Sequence, residues 1–180
     1  RIVGWHQGRY EIGPRALGNR SILADPRSLK IKELINKRIK HREPFRPFAP
    51  AVLLDRAEEY FEIDQPDPYM TLAPKVRKDK LDVIPAAVHV DGTGRIQTVR
   101  REDNPRYYDL IEAFGDLTGV PVLINTSFNC HEPIVTTPAE AISCYLRTEM
   151  DRLVMGNIYV KDRSPAAVAK ARTAFANADL

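Results

Sequence analysis

The run Val120-Pro121-Val122-Leu123-Ile124 constrains this chain more than any other segment. It is apolar throughout, carries three β-branched residues, and is bounded by Gly119 and a polar stretch, Asn125 to Asn129. Continuous rather than alternating hydrophobicity is the pattern of a strand covered on both faces. Such a strand needs a layer on each side, and the chain offers helices to supply them. From Ser28 to Lys40, the apolar residues Leu29, Ile31, Leu34, Ile35 and Ile39 recur at helical period. Ser28 stands at its N-cap. Asn104-Pro105 opens a second helix, expected to run to about Phe114. Thr137-Pro138-Ala139-Glu140 is a capping box that opens a third, to about Arg147. The implied architecture is α/β, or α+β, around one mixed sheet with flanking helices.

Other strands follow from shorter runs. Ile2 to Trp5, Ala51 to Leu54, Met70 to Val76 and Leu153 to Val160 are each apolar enough to pair. Ala86 to Val90 and Arg95 to Val99 flank Asp91-Gly92-Thr93-Gly94, the signature of a hairpin. Arg56 to Phe61 reads as a short helix, after Pro44 and Pro47 have ended the first one.

With 180 residues, the chain fits one compact domain. We expect that domain over residues 1–163, with an Ala-rich helical tail over 164–180. A share of 43% hydrophobic residues allows a core without disulfide or metal staples. The two cysteines, Cys130 and Cys144, form no CxxC pair and imply a reducing, cytoplasmic setting. No apolar run reaches the ~20 residues that span a bilayer, so no membrane partner is expected. A net charge of +3 is mild. It suits a pocket for phosphates better than a long nucleic-acid track. The first residues run straight into a strand with no initiator Met, as in a piece of a longer polypeptide.

Four polar segments could carry chemistry. The first is Gly8 to Ser21, where Gly13, Gly18 and Arg9, Arg15 and Arg20 share one loop. Glycines let backbone amides approach an anion, and guanidinium forks match phosphate oxygens in pairs. The same residues would also make a solvated turn whose arginines pair with Glu11 and Asp25. The second is Lys40-His41-Arg42-Glu43-Pro44-Phe45-Arg46-Pro47. Prolines there restrain a loop that carries Arg42 and Arg46, which lowers the ordering cost of binding. Complementing a helix dipole would explain Lys40 as well.

The third segment is His89-Val90-Asp91-Gly92-Thr93-Gly94-Arg95, in which His89 and Asp91 suggest acid–base work or a local structural bond. The fourth is Asn125-Thr126-Ser127-Phe128-Asn129, beyond a buried strand, where α/β folds tend to bind ligands. An Asx-type turn is the plainer alternative. Ser127 has no GxSxG elbow. Cys130-His131 lacks further metal ligands at useful spacing, so no metal is assigned. There is neither a Walker A loop nor GxGxxG. Phe45, Phe48 and Phe128 lie near the cations but are expected to pack in the core.

Taken together, Gly13-Pro14-Arg15-Ala16-Leu17-Gly18, Arg42 to Pro50, His89-Val90-Asp91-Gly92-Thr93 and Asn125 to Asn129 resemble the O-carbamoyltransferase family of nodulation-factor and antibiotic enzymes. The resemblance extends from Gly4 to Lys161. It implies the C-terminal half of a bipartite enzyme, with a YrdC-like open twisted sheet and a basic concavity. That half would make carbamoyl-adenylate from carbamoyl phosphate and ATP with Mg²⁺. An N-terminal domain of the same polypeptide, similar to threonylcarbamoyl-transferring proteins, would hold iron and pass the carbamoyl group to an acceptor hydroxyl. Lys40-His41-Arg42 and Ser127-Phe128-Asn129 match the Lys-x-Arg and Ser-x-Asn signature of YrdC-like domains.

On this resemblance, Lys40, Arg46, Arg95 and Ser127 are the catalytic set. Arg15, Arg42, His89, Asp91, Thr93, Asn125 and Asn129 would bind substrate and nucleotide. Gly94 stands where the family commonly has Ala, and Cys130-His131-Glu132 is compressed against the family pattern. A threonylcarbamoyl-adenylate synthase for tRNA modification is one alternative, and a non-enzymatic RNA- or partner-binding basic module is another. Small molecules are the expected partners, nucleic acid is not, and a homodimer is left open.

Overall fold

The computed structural model describes residues 1–176. Its centre is a seven-stranded open mixed sheet in the order β4-β3-β5-β2-β1-β6-β7. The strands are β1 (Ile2–His6), β2 (Arg20–Ala24), β3 (Ala49–Leu53), β4 (Gln97–Val99), β5 (Val122–Ser127), β6 (Arg152–Met155) and β7 (Ile158–Val160). β1–β6 and β3–β4 pair in parallel, and the other neighbours are antiparallel. The α/β expectation holds.

β2 and β3 are buried at every residue, which follows from helices on both faces. Side chains alternate across the sheet, so neighbouring residues enter different cores. Ile22 and Ile124 join Ile31, Ile35 and Tyr145 on the face covered by α1 (Leu29–Ile35) and α4 (Pro138–Arg147), whereas Leu23 and Leu123 join Trp5, Tyr107 and Ile111 on the face covered by α3 (Pro105–Thr118). A third cluster, including Val52, Phe61, Ile84 and Ile96, closes the β3–β4 edge beside α2 (Ala57–Tyr60).

Local signals placed α3 (Pro105–Thr118) and α4 (Pro138–Arg147). Asn104 accepts a bond from the Tyr107 amide, and the capping box between Thr137 and Glu140 is complete. α3 runs one turn past Phe114, until Gly119 ends it in the left-handed region at φ 76°. The last helix, α5 (Pro165–Ala176), packs against α4. The end of the expected tail, 177–180, lies outside the described residues. Among the described residues, no helix is long and apolar enough to cross a membrane.

Several expectations need correction. The helix from Ser28 to Lys40 is α-helical only to Ile35 and continues as a π-helical turn, Asn36–Lys40. The wider register lets the Asn36 carbonyl accept the amides of both His41 and Arg42. Ser28 occupies the N-cap without a side-chain bond. Met70 to Val76 forms no continuous strand: the Asp67 carboxylate gathers the amides of Tyr69, Thr71 and Leu72 into a turn, and only Lys75 and Val76 bridge, to Thr93 and Phe61. The expected hairpin does not form either. Pro85–Ala87 is a 3₁₀ turn, and β4 pairs in parallel with β3. Its Gly-rich turn survives, with the His89 amide bonded to the Thr93 carbonyl. Asn125 to Ser127, expected as a loop, complete β5. Leu153 to Val160 is two strands joined at Gly156, not one.

Candidate anion-binding cleft

The carboxyl end of β5 meets the start of β3, where Asn125 lies opposite Ala49. There a cleft encloses ≈ 120 Å³. Asn125, Thr126 and Ser127 form its floor. Pro14, Arg15 and Ala16 come from the loop between β1 and β2, Arg42 and Phe48 from the segment before β3, and Arg95 from the approach to β4. The space is smaller than the ~300–1,000 Å³ that encloses a whole drug-sized ligand. It fits one compact anionic group, with the rest of any larger ligand outside.

The β1–β2 loop is held from within. Glu11 accepts the amides of Leu17, Asn19 and Arg20 at 2.8, 2.7 and 3.1 Å. Its burial pushes the carboxyl pKa up, against those three amides. Gly18 is required at the base: its φ is 110°, and a Cβ there would run into the Tyr107 ring. Arg20 does not reach the cleft; its guanidinium donates to the carbonyls of Gln7, Asn19 and Thr136. The solvated-turn alternative paired these arginines with Glu11 and Asp25. Glu11 holds amides instead, and Asp25 binds Arg27 at 2.6 Å.

Among the described residues, Arg15, Arg42 and Arg95 form no ion pair with a carboxylate. Arg42 donates Nε to Asn36 Oδ1 at 2.8 Å and lies over the Phe48 ring at 5.0 Å. Burial lowers its pKa, and Arg46 and Arg95 lower it further. Burial and the charge of Arg15 do the same to Arg95. Among the described residues, the buried Arg95 Nε has no hydrogen-bond partner. Asn125 donates to Ala16 O and Gln97 Oε1, while its own buried Oδ1 accepts from none of the described residues. An unmet donor, an unmet acceptor and a chain of repulsions from Arg15 to Arg95 to Arg42 make the cleft a good host for an anion. An anion with a hydroxyl or amide donor would satisfy all of them.

The other expected site residues lie elsewhere. Lys40 is buried behind the cleft, at 7% exposure. Its ammonium donates to Ser127 O, Ser127 Oγ, Asn129 O and Asn129 Oδ1 at 2.7, 3.2, 3.0 and 2.6 Å. Burial first, then Arg42, brings its pKa down to about 8. Ser127 lines the cleft and donates Oγ to Asn129 Oδ1 at 2.9 Å; Asn129 stands behind it. Arg46 is exposed, outside the lining, and paired with Glu43 at 2.9 Å.

His89, Asp91 and Thr93 form a closed network away from the lining. Asp91 Oδ1 accepts from the Thr93 amide and hydroxyl, and His89 Nδ1 meets Thr93 Oγ1 at 3.1 Å. Phe48 and Phe128 are core residues, but Phe45 is 69% exposed. Cys130 and His131, left without a further ligand by sequence spacing, are joined in space by His41. Sequence reasoning missed Gln97, whose Nε2 donates to Leu17 O at 2.8 Å and whose Oε1 holds Asn125. A lone amide between Ile96 and the buried end of a strand was the available signal.

Residues 1–162 match the family described as carbamoyltransferase C-terminus. The chain is 50% identical over 167 residues to nodulation protein NolNO of Sinorhizobium fredii, covering 91% of this chain and 25% of that protein. It is 50% identical over 173 residues to nodulation protein NolO of Bradyrhizobium diazoefficiens, covering 93% and 31%. An uncharacterized protein of Methanocaldococcus jannaschii is 44% identical over 161 residues, covering 89% and 26%. The chain thus spans only a quarter to a third of the length of these relatives, which leaves room in them for a further domain. Because the match runs through all the segments that build the cleft, the resemblance drawn from those segments is borne out, and the chain belongs to the carbamoyltransferase C-terminus family.

Proposed function

We propose that this domain activates the carbamoyl group in an ATP-dependent O-carbamoyltransferase, and that the N-terminal domain of the full polypeptide transfers it to an acceptor hydroxyl. The observation that carries this reading is the trio of Arg15, Arg42 and Arg95, unpaired with any carboxylate among the described residues, around a cleft sized for one small anion. Carbamoyl phosphate takes up water to give carbamate and phosphate. A carbamate oxygen then attacks the α-phosphorus of ATP, and the bond to the leaving pyrophosphate breaks. Carbamoyl-adenylate and pyrophosphate result. No protein nucleophile is needed. The three guanidiniums neutralise charge that gathers as two polyanions meet, which is the main work in phosphoryl chemistry.

Ser127 orients the bound group from the floor, with its hydroxyl fixed by Lys40 and Asn129. On this reading Lys40 positions Ser127 rather than touching phosphate. Asn125 Oδ1 would accept the carbamoyl amide. Mg²⁺ finds no carboxylate in the cleft lining, so phosphates and water would hold it. Iron belongs to the other domain.

The test is calorimetric titration of the full-length protein with carbamoyl phosphate, followed by a pyrophosphate-release assay with ATP. Saturable binding that Arg95→Ala abolishes and Arg46→Ala leaves intact is expected. Absence of binding by a folded protein refutes the proposal. Pyrophosphate release that requires threonine and bicarbonate instead would favour threonylcarbamoyl-adenylate synthesis.

A further inference from the structure

We propose that His41, Cys130 and His131 form a zinc site that clips together the two segments behind the cleft. One ligand atom from each lies within 4.8 Å of the others. The imidazoles of His41 and His131 are stacked, with centroids 5.5 Å apart and planes at 28°. Around tetrahedral zinc, bonds of ~2.0–2.3 Å put ligand atoms about 3.3–3.8 Å apart. The three side chains therefore need to close by about 1 Å, a movement that torsions of the two exposed histidines supply. Two imidazoles and one thiolate suit a borderline-soft divalent ion, and carboxylate-preferring Mg²⁺ or Ca²⁺ is a poor match.

The backbone beneath is fixed without an ion. His41 ends the π-helical turn in the left-handed region, at φ 45° and ψ 48°, and so leaves the helix toward residues 130 and 131. On the other side, Glu132 Oε2 accepts the His131 amide at 3.0 Å while Oε1 binds Arg147 at 2.7 Å. Asn129 donates Nδ2 to Glu132 O at 2.8 Å, and Lys40 holds Asn129 O. Such supporting bonds orient the ligands of a metal site in advance.

The consequence is mechanical. His41 lies between Lys40 and Arg42, and Cys130 follows Asn129. An ion here ties the Lys-x-Arg segment to the Ser-x-Asn turn at a point outside the cleft. Three protein ligands leave a fourth position for water, as in zinc sites that are not closed. Cys144 is buried, and burial pushes its thiol well above the ordinary range, which makes it a poorer ligand than the partly exposed Cys130.

The test loads the full-length protein with Co²⁺ and, separately, with Zn²⁺. Because iron is expected in the other domain, each reading is taken as the difference between wild type and variant. A thiolate-to-cobalt charge-transfer band that vanishes in Cys130→Ser and persists in Cys144→Ala is expected. One equivalent of retained Zn²⁺ should be lost in His41→Ala and in His131→Ala. All three ligands are at least partly exposed, and unchanged urea midpoints of the apo-variants would confirm that they fold. Equal metal retention by wild type and the triple variant, or a cobalt band indifferent to His41→Ala, overturns the site.

Discussion

Asn129 Oδ1 lies 2.6 Å from the Lys40 ammonium, making the end of the Lys-x-Arg segment and the Ser-x-Asn turn one unit. The pair joins a cation to a neutral amide, and the other partners of Lys40 are a hydroxyl and two carbonyls. Oriented dipoles thus replace the water that Lys40 lost on burial. They do so incompletely, and burial first, with the Arg42 charge second, brings its pKa down to about 8. Lys40→Met keeps the bulk but withdraws a donor from four oxygens, of which Asn129 Oδ1 still accepts from Ser127 Oγ and Ser127 O from the Asn129 amide. We expect a loss of about 1–3 kcal/mol in urea unfolding together with a large fall in adenylate formation. Lys40→Arg should not restore either, because a planar fork cannot serve oxygens arranged around one point. Full activity in Lys40→Met would remove its positioning role.

Arg95 should behave in the opposite way. Its charge is opposed by Arg15, it in turn opposes that of Arg42, and among the described residues its buried Nε is unmet. Arg95→Met relieves repulsion, so the unliganded protein should be as stable as wild type or more so. What it should lose is stabilisation by anions. At about 100 times Kd, pyrophosphate or carbamoyl phosphate adds roughly 2.7 kcal/mol to a protein that binds it. In a domain of this size that is a rise of about 5–10 °C in Tm. Differential scanning fluorimetry should show the rise in wild type, its weakening in high salt, and its absence in Arg95→Met.

Gly18 links the cleft loop to α3. Trp5 donates its indole N–H to the Gly18 carbonyl at 2.8 Å, and Tyr107 stands where a Cβ would be. Gly18→Ala requires both a strained φ and displacement of a fully buried ring. A loss of at least about 3 kcal/mol is expected, within the range for overpacking and backbone strain combined. Gly13, also at positive φ but with open space around it, meets no such clash. Gly13→Ala should therefore be much milder in the same denaturation assay.

Where structure depended on neighbouring residues, the sequence was legible. Asn104-Pro105, Gly119 and the Thr137–Glu140 box act within one turn of chain, and each sits where its chemistry places it. The apolar run before Ile124 revealed β5 because a doubly covered strand has no other composition. What escaped depended on distant partners. Asn36 draws its helix into π register by holding Pro44 and Arg46, and Asp67 dissolves an apparent strand by collecting amides.

The cleft was half legible. Arg15, Arg42, Arg95, Asn125 and Ser127 have the right chemistry on inspection, but only the β5–β3 register brings them together. Arg46 has the same chemistry and is turned outward to Glu43. His41 gave no signal toward Cys130, since nothing local connects the end of the first helix with the turn after β5.

His6 makes stability depend on pH. It is 7% exposed at the end of β1, and its Nε2 shares the Thr136 carbonyl with Arg20 Nε, at 3.2 and 3.1 Å. Burial lowers its pKa from the ordinary 6.5, the Arg20 charge lowers it further, and the bond to the Thr136 carbonyl and then the Glu140 carboxylate only partly oppose them. The unfolded chain therefore binds a proton at His6 at a higher pH than the folded one does. Stability from this residue is fully present above the unfolded pKa. It declines as pH falls from about 6.5 toward the folded pKa and then levels off. His89 shifts in the same direction and adds to the slope. Thermal midpoints taken from about pH 7.5 down to pH 5.5 should therefore fall in wild type. In His6→Gln, whose amide can still donate to Thr136 O, the fall should be shallower, with His89 accounting for part of the remainder. An identical slope in both proteins would mean that Arg20 and its carbonyls tolerate a second cation at His6, and that the tie between β1 and the start of α4 is looser than its distances imply.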